Sequence, residues 1–204
     1  MTIFFLIRHG SHSLLSNTVA GRMPGIHLSE TGLAQARSLA ARLAHIRLDA
    51  LYSSPMERAI ETAQPLAAQL GLTIYTDVAF NELEFGAWTG RKFTDLINEP
   101  TWHNFNLFRS GTRPPGGELM LEAQARVVSR LEQLRSEHPA GTVAVVCHSD
   151  IIKAMLLHFL GMPLDLFSRI EISPASVSIL KLEEYGAQVL SLNDTGNLSE
   201  LLQQ

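Results

Sequence analysis

The chain has 204 residues, 46% of them hydrophobic and 18% charged, and a formal net charge of -4. That length and apolar content suit one globular domain, residues 1–204, and exclude disordered and collagen-like classes. Only three of its 16 basic residues are Lys, and a mildly acidic chain of this kind is a poor match for nucleic acid or a membrane surface.

In chain order, the apolar run Ile3 to Ile7 predicts a strand buried on both faces. No basic residue precedes it, and it is too short for a signal peptide or a membrane span. With a single cysteine, Cys147, there can be no intrachain disulfide framework, which fits a reducing compartment. A cytoplasmic protein is expected. After Leu28-Ser29, the spacing of Leu33, Ala36, Ala40 and Leu43 predicts one helical face. A short strand is expected at Ala50 to Tyr52. Ser54, Pro55 and Glu57 then read as a capping box opening a second helix. That helix turns Met56, Ala59, Ala63, Leu66 and Leu70 inward and stops at Gly71, with Pro65 expected to kink or interrupt it.

A third strand is expected at Thr73 to Tyr75. From Gly86 to Gly117 the periodicity breaks down, and Trp88, Phe93, Trp102, Phe105 and Phe108 mix with Gly and Pro. We read residues 86–117 as an insertion over one edge of the sheet. A helix from Glu118 to about Glu137 leads to a strand at Val143 to Cys147, and another helix covers Ser149 to Leu160. Ser176 to Leu182 and Gln188 to Leu192 read as the last strands, antiparallel at the edge, and the tail after Asn193 as loosely held. The alternation implies an α/β fold: a mainly parallel central sheet with helices on both faces, a three-layer sandwich.

Ligands of open α/β sheets bind beyond the carboxyl ends of the strands. There stand Arg8 and His9 after the first strand, Ser53 and Ser54 leading to Arg58, Glu82 after the third strand, and His148 after Cys147. Two His, two Arg and one carboxylate make a phosphoryl-transfer site without metal. Arg forks match phosphate oxygens, and a neutral imidazole is a competent nucleophile toward phosphorus. Taken singly, each residue has a plainer explanation: a structural His, a solvated Arg, a surface carboxylate. Their convergence on one edge favours chemistry. His9 and His12 also form an H-x-x-H pair, but no Cys or carboxylate set accompanies it at ligand spacing, so no metal is expected.

Several segments carry a resemblance: Leu6-Ile7-Arg8-His9-Gly10, Leu28 to Ala36, Ser53 to Ala63, Asn81 to Gly90, Pro115 to Glu118, and Val145 to His148. In order and spacing the chain resembles the histidine phosphatase superfamily, in its phosphoglycerate mutase-like branch. The resemblance implies that His9 is the phosphorylated nucleophile, that Arg8, Arg58 and His148 form the phosphate pocket, and that Glu82 is the proton donor. Glu84 is a weaker match to that last role. It further implies a phosphomonoesterase acting on a small phosphate ester with no cofactor, and a homodimer is common in such a family. A phosphomutase using the same residues is the alternative, and a non-catalytic phosphate-ligand binding protein is another. Mutases of this family are typically longer, which favours hydrolysis.

The chain departs from the family pattern where substrate would lie. Ser11-His12 follows Gly10 where Glu or Gln and then Thr or Ser is usual. Leu15 stands where an Asn often contacts phosphate, with Asn17 two residues further, and Ser149 replaces a Gly. Ser149, His12, Asn17 and Arg22 are the expected substrate-binding residues. Arg109 and Arg113 read as solvated loop residues, with binding of a substrate carboxylate or second phosphate as the alternative, and Cys147 as a small buried hydrophobe.

Overall fold

The computed structural model describes residues 1–196. Six strands form one sheet in the order β3-β2-β4-β1-β5-β6. They are β1 (Thr2–Arg8), β2 (Ala50–Ser53), β3 (Ile74–Thr76), β4 (Thr142–Cys147), β5 (Val177–Leu182) and β6 (Ala187–Asp194). The first four lie parallel; β5 runs antiparallel to both β1 and β6. The sheet is thus mixed, with the antiparallel pair at one edge as expected. The expectation for the tail falls mostly on residues 197–204, outside the described residues, while Asn193 and Asp194 belong to β6.

Period-two alternation sorts the central strands between two cores. Phe4 and Leu6 of β1, with Val143, Val145 and Cys147 of β4, face α5 (Met120–Glu137) and α6 (Ser149–Phe159). Phe5 and Ile7, with Ala144 and Val146, face α1 (Glu30–Leu43) and α2 (Glu57–Leu70). Strands apolar on both faces need helices on both, which gives three layers. Residues 86–117 are more regular than expected, holding α3 (Phe93–Leu96) and α4 (Pro100–Leu107).

Three local expectations are corrected. First, Leu33 is exposed, and α1 buries Gly32, Ala36, Leu39, Ala40 and Leu43 instead. Gly32 lies against the first loop so closely that a Cβ there would stand 2.1 Å from the Ser11 carbonyl oxygen. Second, α2 begins at Glu57 with Met56 as its cap residue and no side-chain cap bond. Ser54 Oγ accepts from the Met56 amide at 3.4 Å, ahead of the helix, and otherwise joins a hydrogen-bond chain described below. Third, Pro65 does not interrupt α2, which continues to Leu70. Its flanking residues Ala63, Leu66 and Ala67 are buried, and their burial offsets the lost backbone bond.

The close approach of Gly32 to Ser11 holds the loop after β1. Gln35 Oε1 accepts from the Ser11 amide at 2.8 Å, and Ser29 Oγ donates to the Ser11 carbonyl at 3.1 Å. We expect Gly32→Ala to lower unfolding free energy by about 1–3 kcal/mol, the usual cost of overpacking. Denaturant titration measures it; a loss below about 0.5 kcal/mol would show that the loop yields freely.

Candidate functional site

The carboxyl ends of β1, β4 and β2 lie side by side, and each releases a functional side chain at the same level. The His9 amide donates to the Cys147 carbonyl at 2.9 Å and the Ser54 amide to Val146 at 2.9 Å. His9, Ser54 and His148 are therefore lateral neighbours, although up to 139 positions separate them along the chain. His9 lines a cavity of about 310 Å³, room for roughly ten waters, whereas Ser54 and His148 are buried outside its lining.

His9 is buried, and its Nδ1 stands 2.7 Å from the Gly10 carbonyl. A carbonyl only accepts, so Nδ1 carries the hydrogen and the lone pair sits on Nε2. Burial, and then the charges of Arg58 and Arg8, hold the His9 pKa well below its ordinary value. The Gly10 amide in turn donates to Thr62 Oγ1 at 2.9 Å, and Thr62 donates to the Arg58 carbonyl at 2.7 Å. One α2 hydroxyl thus ties the His9 loop to the Arg58 turn.

Arg58 is 1% exposed. Its Nη2 donates to the Gly21 carbonyl at 2.7 Å and reaches His148 Nδ1 at 3.3 Å. Guanidinium cannot accept, so neutral His148 keeps its proton on Nε2 and donates to Ser54 Oγ at 2.9 Å. Ser54 passes its hydrogen to Asn81 Oδ1 at 3.2 Å. Arg8 Nη1 donates to the Ile172 carbonyl. Arg8 Nε and Arg58 Nε and Nη1 are buried with no partner among the described residues. Leaving buried charged donors unmade costs more than about 1–3 kcal/mol each, so the pocket is prepared for an anion with several acceptor oxygens.

Glu82 lines the same cavity. Its Oε1 accepts from the Leu83 amide at 2.9 Å, and Oε2 lies 3.9 Å from His148 Nδ1. Burial and the charge of Asp150 push its pKa up to about 7, against Arg58 and Arg8. The carboxyl therefore exchanges a proton near neutral pH. Glu84 is outside the cavity lining and accepts from the Gly86 amide at 3.2 Å.

The expected substrate-binding residues divide. His12 and Ser149 line the cavity. His12 is buried with its ring centroid 5.3 Å from that of His9, and its pKa is lowered to about 4 by burial and the two Arg charges. Asn17 is exposed and accepts from Thr18 Oγ1, while Leu15 lines the cavity. Arg22 also lies outside the lining: its Nε holds the Glu82 carbonyl at 2.7 Å and its Nη2 holds Glu118 at 2.9 Å. Arg126 joins Glu118 to the Asn81 carbonyl at 3.1 Å. These two Arg fix the segment that carries Glu82.

Arg109 is not solvated. It is 9% exposed, lines the cavity and pairs with Asp150 at 3.0 Å. Its sequence signal is an Arg among aromatics, which also describes surface loops, and Asp150 has no signal beyond its place after His148-Ser149. Arg113 is exposed and pairs with Glu122 at 2.6 Å. The Cys147 thiol is buried, and burial drives its pKa up. Among the described residues, no cluster of three or more His, Cys, Asp and Glu could hold a metal ion.

The family model for the histidine phosphatase superfamily (branch 1) matches residues 4–195. Phosphoserine phosphatase 1 of Hydrogenobacter thermophilus is 33% identical, covering 98% of this chain and 96% of that protein. The 2,3-bisphosphoglycerate-dependent phosphoglycerate mutase of Thermoplasma acidophilum is 32% identical over 90% of this chain and 88% of its own. A mutant phosphoserine phosphatase from Entamoeba histolytica, solved with phosphoserine, shares the fold with a TM-score of 0.88. That structure is 24% identical and covers 97% of this chain and 100% of its own.

The unpartnered donors predict anion binding before any chemistry. Inorganic phosphate should raise the thermal midpoint of unfolding, and Arg58→Gln should weaken phosphate affinity by about tenfold or more per charged hydrogen bond lost. Calorimetric titration reads both, and equal affinity in the two proteins would remove Arg58 from the cradle.

Proposed function

The chain belongs to the histidine phosphatase superfamily, branch 1, and we propose that it hydrolyses phosphate monoesters through a phosphohistidine at His9. The observation that carries this reading is the Nδ1-protonated, charge-depressed imidazole of His9 beside two buried Arg with unmade hydrogen bonds. In the first step His9 Nε2 attacks phosphorus, the ester P–O bond breaks, and the departing oxygen takes the Glu82 proton. In the second, Glu82 as carboxylate takes a proton from water, the water oxygen bonds phosphorus, and the P–N bond breaks. Arg8 and Arg58 hold the equatorial oxygens through both steps, and His148 joins them when the phosphate dianion draws a proton onto its Nδ1.

Hydrolysis is favoured over the mutase alternative by the phosphatases among the relatives, phosphoserine phosphatase 1 foremost. The phosphate charge is met by guanidinium and imidazole groups, so the reading assigns no metal and no cofactor. The substrate is a small molecule, with residues 86–117 of the one domain laid over the site. No helix among the described residues is long and apolar enough to cross a membrane. The buried, unpaired Cys147 supports a cytoplasmic setting.

Rapid quench with labelled substrate should trap an acid-labile, base-stable phosphoprotein that His9→Ala lacks. Unchanged turnover in that variant would sink the mechanism.

Glu82 must be protonated for the first step, and its pKa is pushed up to about 7. Raising pH through 7 removes that proton, so kcat/KM should fall about tenfold per pH unit on the alkaline side. The acid side should stay flat to well below 6.5, because His9 resists protonation. Glu82→Gln should slow alkyl phosphates by about 10² to 10⁴ and abolish the alkaline limb. An alkaline limb that persists in Glu82→Gln would assign the proton to another group.

A further inference from the structure

The two ends of the cavity differ in chemistry. Beyond the phosphate cradle, its wall includes Leu15, Val19, Phe85, Phe93 and Trp102, with the uncharged polar Thr18, Asn106 and Ser149 beside them. Trp102 is braced edge-on against Trp88 at 5.1 Å and stacks on Phe93 at 6.0 Å. The wall is therefore uncharged, and its aromatic part is flat and held in place.

Outside the cradle, Arg109 is the one guanidinium or ammonium among the described residues lining the cavity, and its charge is already engaged. Its Nη1 donates to Asp150 Oδ2 at 3.0 Å and its Nη2 to Asn106 Oδ1 at 3.1 Å. Its plane is clasped between the rings of Phe105 and Phe167, at 4.1 and 4.2 Å. Only Nε is without a partner, a single donor rather than the fork that a carboxylate takes. Asp150 itself lines the cavity. A leaving group bearing a carboxylate would meet a closed ion pair there, with no free cation to balance its charge in a shielded space. An uncharged leaving group instead gains by burying apolar surface against the aromatic wall.

We infer that the site selects monoesters of uncharged alcohols with an aromatic or compact apolar body, over carboxylated esters such as phosphoserine and phosphoglycerate. This inference rests on the phosphatase reading and names its substrate class. It separates this chain from what the names of its relatives suggest. The leaving-group end sets specificity by shape and by the absence of free positive charge.

The test compares kcat/KM for 2-phenylethyl phosphate, O-phosphoserine and 3-phosphoglycerate, all alkyl esters making similar demands on the proton donor. The phenylethyl ester should lead both carboxylated esters by about 10- to 100-fold, the range for burying one apolar side chain. Trp102→Ala should lower that ratio about tenfold, Trp102→Phe should retain most of it, and Asp150→Asn should shift it toward the carboxylated esters. Ratios are read within each variant, so a partly folded preparation does not move them. Parity, or preference for a carboxylated ester, would overturn the inference while leaving the phosphatase reading intact. No turnover of any ester and no phosphohistidine would overturn both.

Discussion

Arg58 is a guanidinium taken almost wholly out of water with fewer protein acceptors than it has donors. Such a group raises the energy of the empty site, since burial disfavours its charge and its Nε and Nη1 have no partner among the described residues. The consequences reach every titratable neighbour. His9, His12 and His148 all sit below their ordinary pKa, each through burial first and the Arg58 charge second. Three imidazoles are thereby kept neutral side by side, with the His9 ring 5.3 Å from His12 and 5.2 Å from His148. An oxyanion entering there meets unmade hydrogen bonds rather than groups that must first be released from other partners, which is electrostatic preorganisation in structural terms.

Holding that arrangement is the task of residues that do not line the cavity. Thr62 and Gln35 fasten the His9 loop from α2 and α1, and Gly32 permits α1 to approach it. On the opposite side, Gly86 and Gly117 let two loops cross. A Cβ on Gly86 would stand 2.2 Å from the Pro115 carbonyl oxygen, and the Glu118 amide donates to the Glu84 carbonyl at 2.8 Å. Glu118 then gathers Arg22 and Arg126, which grip the backbone on either side of Glu82. Sequence segments that carry no chemistry are in this way the clamps of those that do. A shift of about 1 Å in either clamp would separate His9 from Glu82, and reactions that need both are sensitive to such displacements.

Residues 86–117 bring a different chemistry to the rim. Their aromatics pack on one another, with Trp88 and Phe105 buried and Trp102 edge-on to Trp88. Arg109, clasped by two rings, orients Asp150 toward the cavity, and Asp150 in turn helps raise the Glu82 pKa. Residues 86–117 and Glu82 are therefore linked electrostatically, although they lie in separate segments.

Much of the fold was legible from local pattern alone. The apolar runs at Ile3 to Ile7 and Val143 to Cys147 mark the central strands because a strand covered on both faces has no polar side to show. The order of strands and helices then fixes layers and handedness, and the carboxyl-end rule brings Arg8, His9, Arg58, Glu82 and His148 to one edge. Hydrogen bonding and charge between distant segments are not encoded in spacing, and the corrections fall there. Ser54 has the sequence of a helix cap, yet His148 and Asn81 compete for its hydroxyl. Arg22 reads as a ligand contact but is consumed by Glu118 and the Glu82 carbonyl. Arg109 reads as solvated but is desolvated by Phe105 and Phe167. Sequence by itself determined which groups reach the sheet edge, since strand direction and side-chain alternation are local properties. Only the tertiary structure decided which of their donors stay unmade and which charges are spent, because that depends on partners contributed by chain segments far apart in the sequence.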